Sequence, residues 1–266
     1  GNSEKLKHMR RIMDSPTQIL EEARELGFYA RLNIDMSRKE FNILCSSLGT
    51  PWTNEIHALH TEGFDEDNIV NWSNKTRFNG HSLPWHADNP WHTEYKFPLR
   101  AFWAETISHS NDIGYYLHIT NWFESQDLAT KEYFRRLKVL VQDYKNGCQP
   151  YWTGFVKKHP ITGKESFNWG AMALSTDVFG LCADEGLRFP HFSYTMAIQK
   201  DTRELISHKE IASWFQDMIN NNHMTTHHWQ EKDFVLMDNW VSLHYIGSTN
   251  YTEDRLLWRK TICQPW

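Results

Sequence analysis

The chain has no apolar run approaching the ~20 residues that a membrane-spanning helix needs, and its first residues carry no apolar signal core. A cytoplasmic protein that does not engage a membrane is therefore expected. Basic residues are not in excess either. The 28 Lys and Arg stand against 33 Asp and Glu, a net charge of −5. That argues against a nucleic-acid binder held by phosphate contacts. Runs of like charge, low-complexity linkers and internal repeats are missing, which excludes a charged tail and a repeat array. Cysteine is sparse: Cys45, Cys148, Cys182 and Cys263 are far apart and form no CxxC. This spacing excludes the close pairs of a zinc ribbon and predicts reduced thiols.

Aromatic rings and histidines, by contrast, are abundant. The 13 Trp, 10 Tyr and 15 Phe suit either thick packing in a β-rich domain or the walls of a pocket. At 266 residues, with 40% hydrophobic and 23% charged, a single domain over residues 1–266 can bury a full core. Self-association is left open.

Local signals order the elements. Pro16 to Leu26 places Ile19, Leu20 and Ala23 on one side and is closed by Gly27, so it reads as a helix. Phe28 to Ile34 alternates as a strand. Ser37-Arg38-Lys39-Glu40 is a capping box opening a helix to about Leu48, with Gly49 and Pro51 as the stop. Residues 52–100 are rich in Trp, His, Asn and Pro without periodicity, a kind of stretch more often functional than decorative. Arg100 to Ile107 reads as a strand. Ser125 to Leu140 reads as one long amphipathic helix with Leu128, Phe134, Leu137 and Leu140 inward. Phe155 to Phe167 predicts a hairpin turning at Pro160–Gly163, and Phe192 to Ile198 a strand. Ser207–Glu210 is a second capping box, opening a helix to about Asn220. Met224–Trp229, Phe234–Met237, Val241–Ile246 and Arg255–Cys263 are successive strands. One α+β domain with a large antiparallel core fits this order.

Two separated pieces carry chemistry. In His86-Ala87-Asp88 the first and third side chains of an extended segment share a face, so both reach one metal. His244, on a late strand, is the candidate third ligand. Two imidazoles and a carboxylate suit a non-haem ferrous ion with positions left open. Spacing alone leaves competitors: His92-Thr93-Glu94 is a second such pattern, and His57, His60, His227 and His228 are other possible ligands. Arg255 and Arg259 follow His244 by eleven and fifteen residues and share one face of their strand with Leu257. If that face is buried, two guanidiniums need an anion, and a dicarboxylate supplies forked hydrogen bonds. The alternatives are a solvent-facing strand, or local pairing with Glu253 or Asp254.

In this order the motifs resemble the TauD/TfdA family of iron(II)- and 2-oxoglutarate-dependent dioxygenases, over roughly residues 15–264. Trp85-His86-Ala87-Asp88 is similar to the family's first metal motif. His159-Pro160-Ile161-Thr162-Gly163-Lys164 resembles its HPxTG hairpin. His228 to Asn239 resembles its approach to the last metal histidine, and His244 with Arg255 and Arg259 matches its ligand and arginine spacing. The resemblance implies a double-stranded β-helix, a jelly-roll or cupin-like barrel flanked by helices, with the helix-strand-helix of about 15–50 packed on it. It implies Fe(II) on His86, Asp88 and His244, with 2-oxoglutarate and O2 as co-substrates. Arg255 would grip the distal carboxylate, with Arg259 near the co-substrate or an anionic part of the substrate.

The chain departs from the pattern in places. Tyr116 stands where the family often has a threonine touching 2-oxoglutarate, with Thr106 and Thr120 nearby in sequence. Lys232 replaces a common glycine, and Tyr245-Ile246 follow His244 where an arginine is common. The implied reaction is hydroxylation, desaturation or cyclisation of a small molecule such as an amino acid or natural-product intermediate, with 2-oxoglutarate converted to succinate and CO2. Asn79, Trp85, Asn89, Trp91, His92 and Arg188 are the candidate substrate contacts. Two other classes fit the same residues: a peptide or protein side-chain hydroxylase, and a non-catalytic cupin-like metal- or ligand-binding protein.

Overall fold

Ser15 opens the first helix with a complete capping box. Its side chain accepts from Gln18 N–H, and the Gln18 side chain accepts from Ser15 N–H. The computed structural model describes residues 13–51, 69–73, 83–87, 99–107, 112–143, 148–168, 197–246 and 254–263. Its elements, in chain order, are α1 (Pro16–Leu26), β1 (Phe28–Arg31), α2 (Arg38–Leu48), β2 (Thr50–Pro51), β3 (Val70–Ser73), β4 (Leu83–His86), β5 (Leu99–Ile107) and β6 (Ile113–His118). There follow α3 (Ile119–Glu124), α4 (Leu128–Arg135), β7 (Lys138–Asp143), β8 (Cys148–Gly154), β9 (Val156–Lys158), β10 (Glu165–Phe167) and β11 (Ala197–Gln199). The last are α5 (His208–Asn220), β12 (Met224–His228), β13 (Phe234–Asp238), β14 (Ser242–Ile246) and β15 (Arg255–Cys263).

The expected helices at Pro16, Ser37 and Ser207 form as read, because each has a serine N-cap taking a backbone N–H three residues on. The expected long helix over Ser125–Leu140 does not form. Asp127 caps a separate α4 by accepting Thr130 N–H at 2.7 Å, and that helix ends at Arg135. Lys138 onward is strand, paired on both sides, with β8 and with β11. Leu128 is 70% exposed, so only Phe134 and Leu137 of that set are core. A spacing that satisfied a helix was overridden by a cap and by β-branched Val139 and Val141, which suit a strand with two neighbours.

Two main sheets carry the fold among the described residues. The larger runs β1-β13-β5-β15-β2, with β3 also on β15; the smaller runs β12-β6-β14-β4. All their pairings are antiparallel. The period-2 pattern sorts each strand into two faces. On the larger sheet Ala101, Trp103, Phe234, Leu236, Trp258 and Ile262 pack outward against Ile19 and Ala23 of α1 and Phe41 of α2. Their neighbours Ala104, Val235 and Leu257 turn the other way and gather with Trp229. On the smaller sheet Leu117, Leu243 and Tyr245 pack against Phe215 and Met218 of α5. The remaining faces meet. Phe28 stacks on Tyr116 at 4.4 Å, His227 pairs with Asp233 at 3.0 Å, and Ser242 Oγ donates to Gly27 O at 2.9 Å.

The departure at Lys232 has a local consequence. Its φ is +68°, a left-handed conformation that glycine adopts freely and a side chain does not. The turn holds it there: Lys232 N–H donates to Ala104 O at 2.7 Å, and Lys232 O accepts from Ile34 N–H at 2.8 Å. Its ion pair with Asp35 is exposed and worth little. Lys232→Gly is therefore expected to raise stability by about 0.5–1 kcal/mol, the relief of strain less the added freedom of the unfolded chain. Urea unfolding of the two proteins measures it.

The HPxTG segment is explained by its histidine. His159 Nδ1 accepts from Ile161 N–H at 3.1 Å and Thr162 N–H at 3.3 Å, and Gly163 takes φ +69°. His118 works alike: Nδ1 accepts Asn121 N–H, leaving the proton on Nε2, which donates to Arg24 O, each at 3.0 Å. Burial pushes both rings down from 6.5 to about 4, and both must be neutral to accept. The unfolded chain takes up protons near pH 6.5 while the native state does not. Stability is thus full above about pH 6.5 and falls as pH drops toward 4, by up to about 1.4 kcal/mol per pH unit for each ring. Urea titrations between pH 7 and 4.5 should show this slope, and His159→Asn should about halve it, leaving the His118 contribution.

Candidate active site

One row across the smaller sheet assembles the site. Register pairs His86 of β4 with His244 of β14, and His244 with Tyr116 of β6. Residues directly opposite on neighbouring strands point to the same face, so all three side chains share the side that meets the larger sheet. The two imidazole centroids are 4.0 Å apart. Both rings are buried, at 4% and 7% exposure. Two neutral imidazoles side by side can share one borderline cation; protonated, they would repel. Of the sequence-derived ligands, His86 and His244 are thus brought together from opposite ends of the chain. Asp88 lies outside the described residues, and among those described no three His, Cys, Asp or Glu converge as a metal site. His227, a competitor on sequence grounds, is engaged elsewhere, with Asp233.

Arg255 and Arg259 are buried on β15, at 8% and 5%, on the face that carries Leu257 toward Trp229 and Val235. The solvent-facing alternative is therefore excluded. Arg259 lies over the Trp72 ring at 4.4 Å. Arg255 Nε donates to Asp112 Oδ2 at 2.5 Å, and that carboxylate is also buried. Asp112, just ahead of β6, is a partner that the sequence did not reveal. Trp229 N–H donates to its carbonyl at 2.8 Å, which fixes its backbone. Tyr116, the third member of the histidine row, feels the charges of this pair. Burial lifts its hydroxyl above the ordinary phenol range, an effect that Arg255 opposes and Asp112 reinforces.

Trp85, a candidate substrate contact, alternates with His86 and faces away from it. It packs with Phe215 at 6.4 Å and Tyr245 at 5.6 Å in the core under α5. Asn79, Asn89, Trp91, His92 and Arg188 lie outside the described residues.

No protein-family model matches the chain, and no curated protein matches it in sequence. Solved structures do match. A taurine dioxygenase from Burkholderia xenovorans superposes with a TM-score of 0.63 at 12% identity, covering 94% of this chain and 81% of its own. AAD-2 in complex with Mn(II) and N-oxalylglycine gives 0.62 at 14% identity, covering 94% and 88%. The chain has the fold of the TauD-like dioxygenases. PvcB, an Fe, alpha-ketoglutarate dependent oxygenase from an isonitrile synthetic pathway, gives 0.63 at 14% identity, covering 93% and 79%. The TauD-like fold thus spans nearly the whole chain, α1 to β15, at identities where sequence comparison alone is silent.

Proposed function

We propose that the chain is an iron(II)- and 2-oxoglutarate-dependent oxygenase acting on a small molecule. One observation carries this: two buried imidazoles lie 4.0 Å apart, in a row whose next member, Tyr116, feels the charges of Arg255 and Asp112. The fold of the structural neighbours supports it, and the two facing sheets fit the halves of a double-stranded β-helix in a single domain. His86 and His244, with Asp88, would hold Fe(II); two nitrogens and a carboxylate oxygen match that ion. When bound, the metal supplies the oxidation, in which O2 and 2-oxoglutarate give succinate and CO2 while one oxygen enters a substrate C–H bond.

The remaining contributions belong to the chain. Arg255 would receive the distal carboxylate of 2-oxoglutarate with its forked guanidinium. The facing sheets exclude bulk water from the row, which strengthens every polar contact there. Arg259, flattened on Trp72, offers a charge four residues further along β15 for an anionic group of co-substrate or substrate. The substrate class that fits is an amino acid or natural-product intermediate carrying a carboxylate.

Oxygen-dependent succinate release in the presence of Fe(II), 2-oxoglutarate and a metabolite library is the test. Stimulation by a small molecule is expected. An anaerobic titration in which neither Fe(II) nor 2-oxoglutarate binds or produces a charge-transfer band would sink the proposal.

A further inference from the structure

Arg100, near the start of β5, is only 2% exposed. A guanidinium is costly to bury without anionic company. Its direction follows from alternation. Ala101 and Trp103 pack outward with Phe41 and Trp258, while Phe102 and Ala104 turn inward, toward Trp229 and Val235. Arg100 shares their inward face. The residues opposite it, Thr261 of β15 and Met237 of β13, are buried as well, at 1% and 3%. Arg259 stands opposite Phe102. That makes it the diagonal neighbour of Arg100, within reach of a long side chain. Among the described residues, the inner face of the larger sheet thus carries three buried guanidiniums, those of Arg255, Arg259 and Arg100.

These charges are spread between two ends of the interior. Arg255 is opposite Ile107, at the far end of β5, and is held there by Asp112. Arg100 follows Leu99, whose opposite residue is Asp238. Asp238 O accepts from Ser242 Oγ at 2.8 Å, and Ser242 is two residues ahead of His244 on β14. Arg100 therefore belongs to the imidazole end and Arg255 to the other, with Arg259 between them. Like charges on one desolvated face repel, and an anion held between them offsets that cost. Five N–H donors let an arginine serve a protein partner and a ligand together.

We infer that Arg100 is a substrate-recognition residue: with Arg259 diagonal to it, it receives an oxyanion of the primary substrate, a carboxylate or a phosphate. The inference rests on the functional reading above and names the substrate class of that site. Separation from Asp112 and Arg255 keeps this anchor apart from the distal carboxylate of 2-oxoglutarate. The Ser242 link sets it near His244, so a molecule anchored there has the imidazole row beside it. The planar fork of arginine matches both oxyanions, which a lysine at this position would meet only as a point charge.

The test uses protein holding Mn(II) and saturating 2-oxoglutarate, so that the co-substrate site is already filled. It is titrated calorimetrically with inorganic phosphate and, separately, with acetate. Wild type is expected to bind at least one of them. Tighter phosphate binding assigns a phosphorylated substrate, and tighter acetate binding a carboxylate. Arg100→Met should bind the preferred anion at least about tenfold more weakly, the loss of a charge-assisted hydrogen bond. Arg100→Lys keeps the charge without the fork and should lose less. Lys260→Met removes a charge from the outer face of β15 and should stay within about twofold of wild type. A wild type that binds neither anion, Arg100 variants that bind like wild type, or an equal loss in Lys260→Met each overturn the inference and leave the oxygenase reading standing. A wild type that takes up no 2-oxoglutarate overturns both. Should Arg100→Met fail to fold, Arg100→Lys decides, because wild-type affinity without the fork overturns the inference.

Discussion

His244→Ala is expected to lower succinate formation by about three orders of magnitude or more, because the metal supplies the chemistry that no side chain here can perform. His244 is the middle member of its row, paired to His86 on one side and Tyr116 on the other. Removing it leaves a single imidazole where two now lie 4.0 Å apart, and one imidazole with one carboxylate holds a ferrous ion poorly. The stability cost should be modest, on the order of 1–2 kcal/mol, since β14 keeps its backbone pairing and its outward Leu243 and Tyr245. Succinate assays and Mn(II) binding on the same preparation separate the two effects. Turnover or metal affinity within about tenfold of wild type would show that His244 is no ligand.

The signals that could be read from sequence were local ones. Serine caps at Ser37 and Ser207 announce helices because the capping bond spans three residues. Alternation in Arg255–Cys263 gave the shared face of the arginines, because a strand's side-chain period is two whatever surrounds it. The failure at Ser125–Leu140 is also instructive. Leu128, Leu137 and Leu140 mimic one helical stripe, but Asp127 starts a new helix and the pairing of Lys138–Asp143 depends on β8 and β11. Pairing with partners elsewhere is invisible in a window.

The site divides the same way. His86 and His244 announced themselves by residue type and motif order. Asp112 did not, because it lies 143 residues from Arg255 and a lone aspartate ahead of a strand reads as a turn residue. Trp229 was visible only as an aromatic in a motif; its backbone bond to Asp112 joins segments far apart in the chain. The candidate ligands were legible and the partners around them were not, because a candidate ligand is marked by its side-chain type while a partner need only be near.

That asymmetry sharpens what Asp112 does. A guanidinium 8% exposed inside two facing sheets needs compensation before any co-substrate arrives. Asp112→Ala should accordingly destabilise the protein by about 3–5 kcal/mol, the usual cost of breaking a buried ion pair by removing one member. Arg255→Met should cost a similar amount, since it strands the carboxylate. The double variant Asp112→Leu/Arg255→Met removes both charges at comparable volume and should recover most of that loss, because an apolar pair needs no compensation there. It should nevertheless bind no 2-oxoglutarate. Urea unfolding of the four proteins closes a double-mutant cycle, and ligand titration on the same samples reads function. Losses that simply add would mean that Asp112 and Arg255 do not depend on each other. Strong coupling, with a stable but ligand-blind double variant, would mean that Asp112 keeps Arg255 in the core for the sake of an anion that comes and goes.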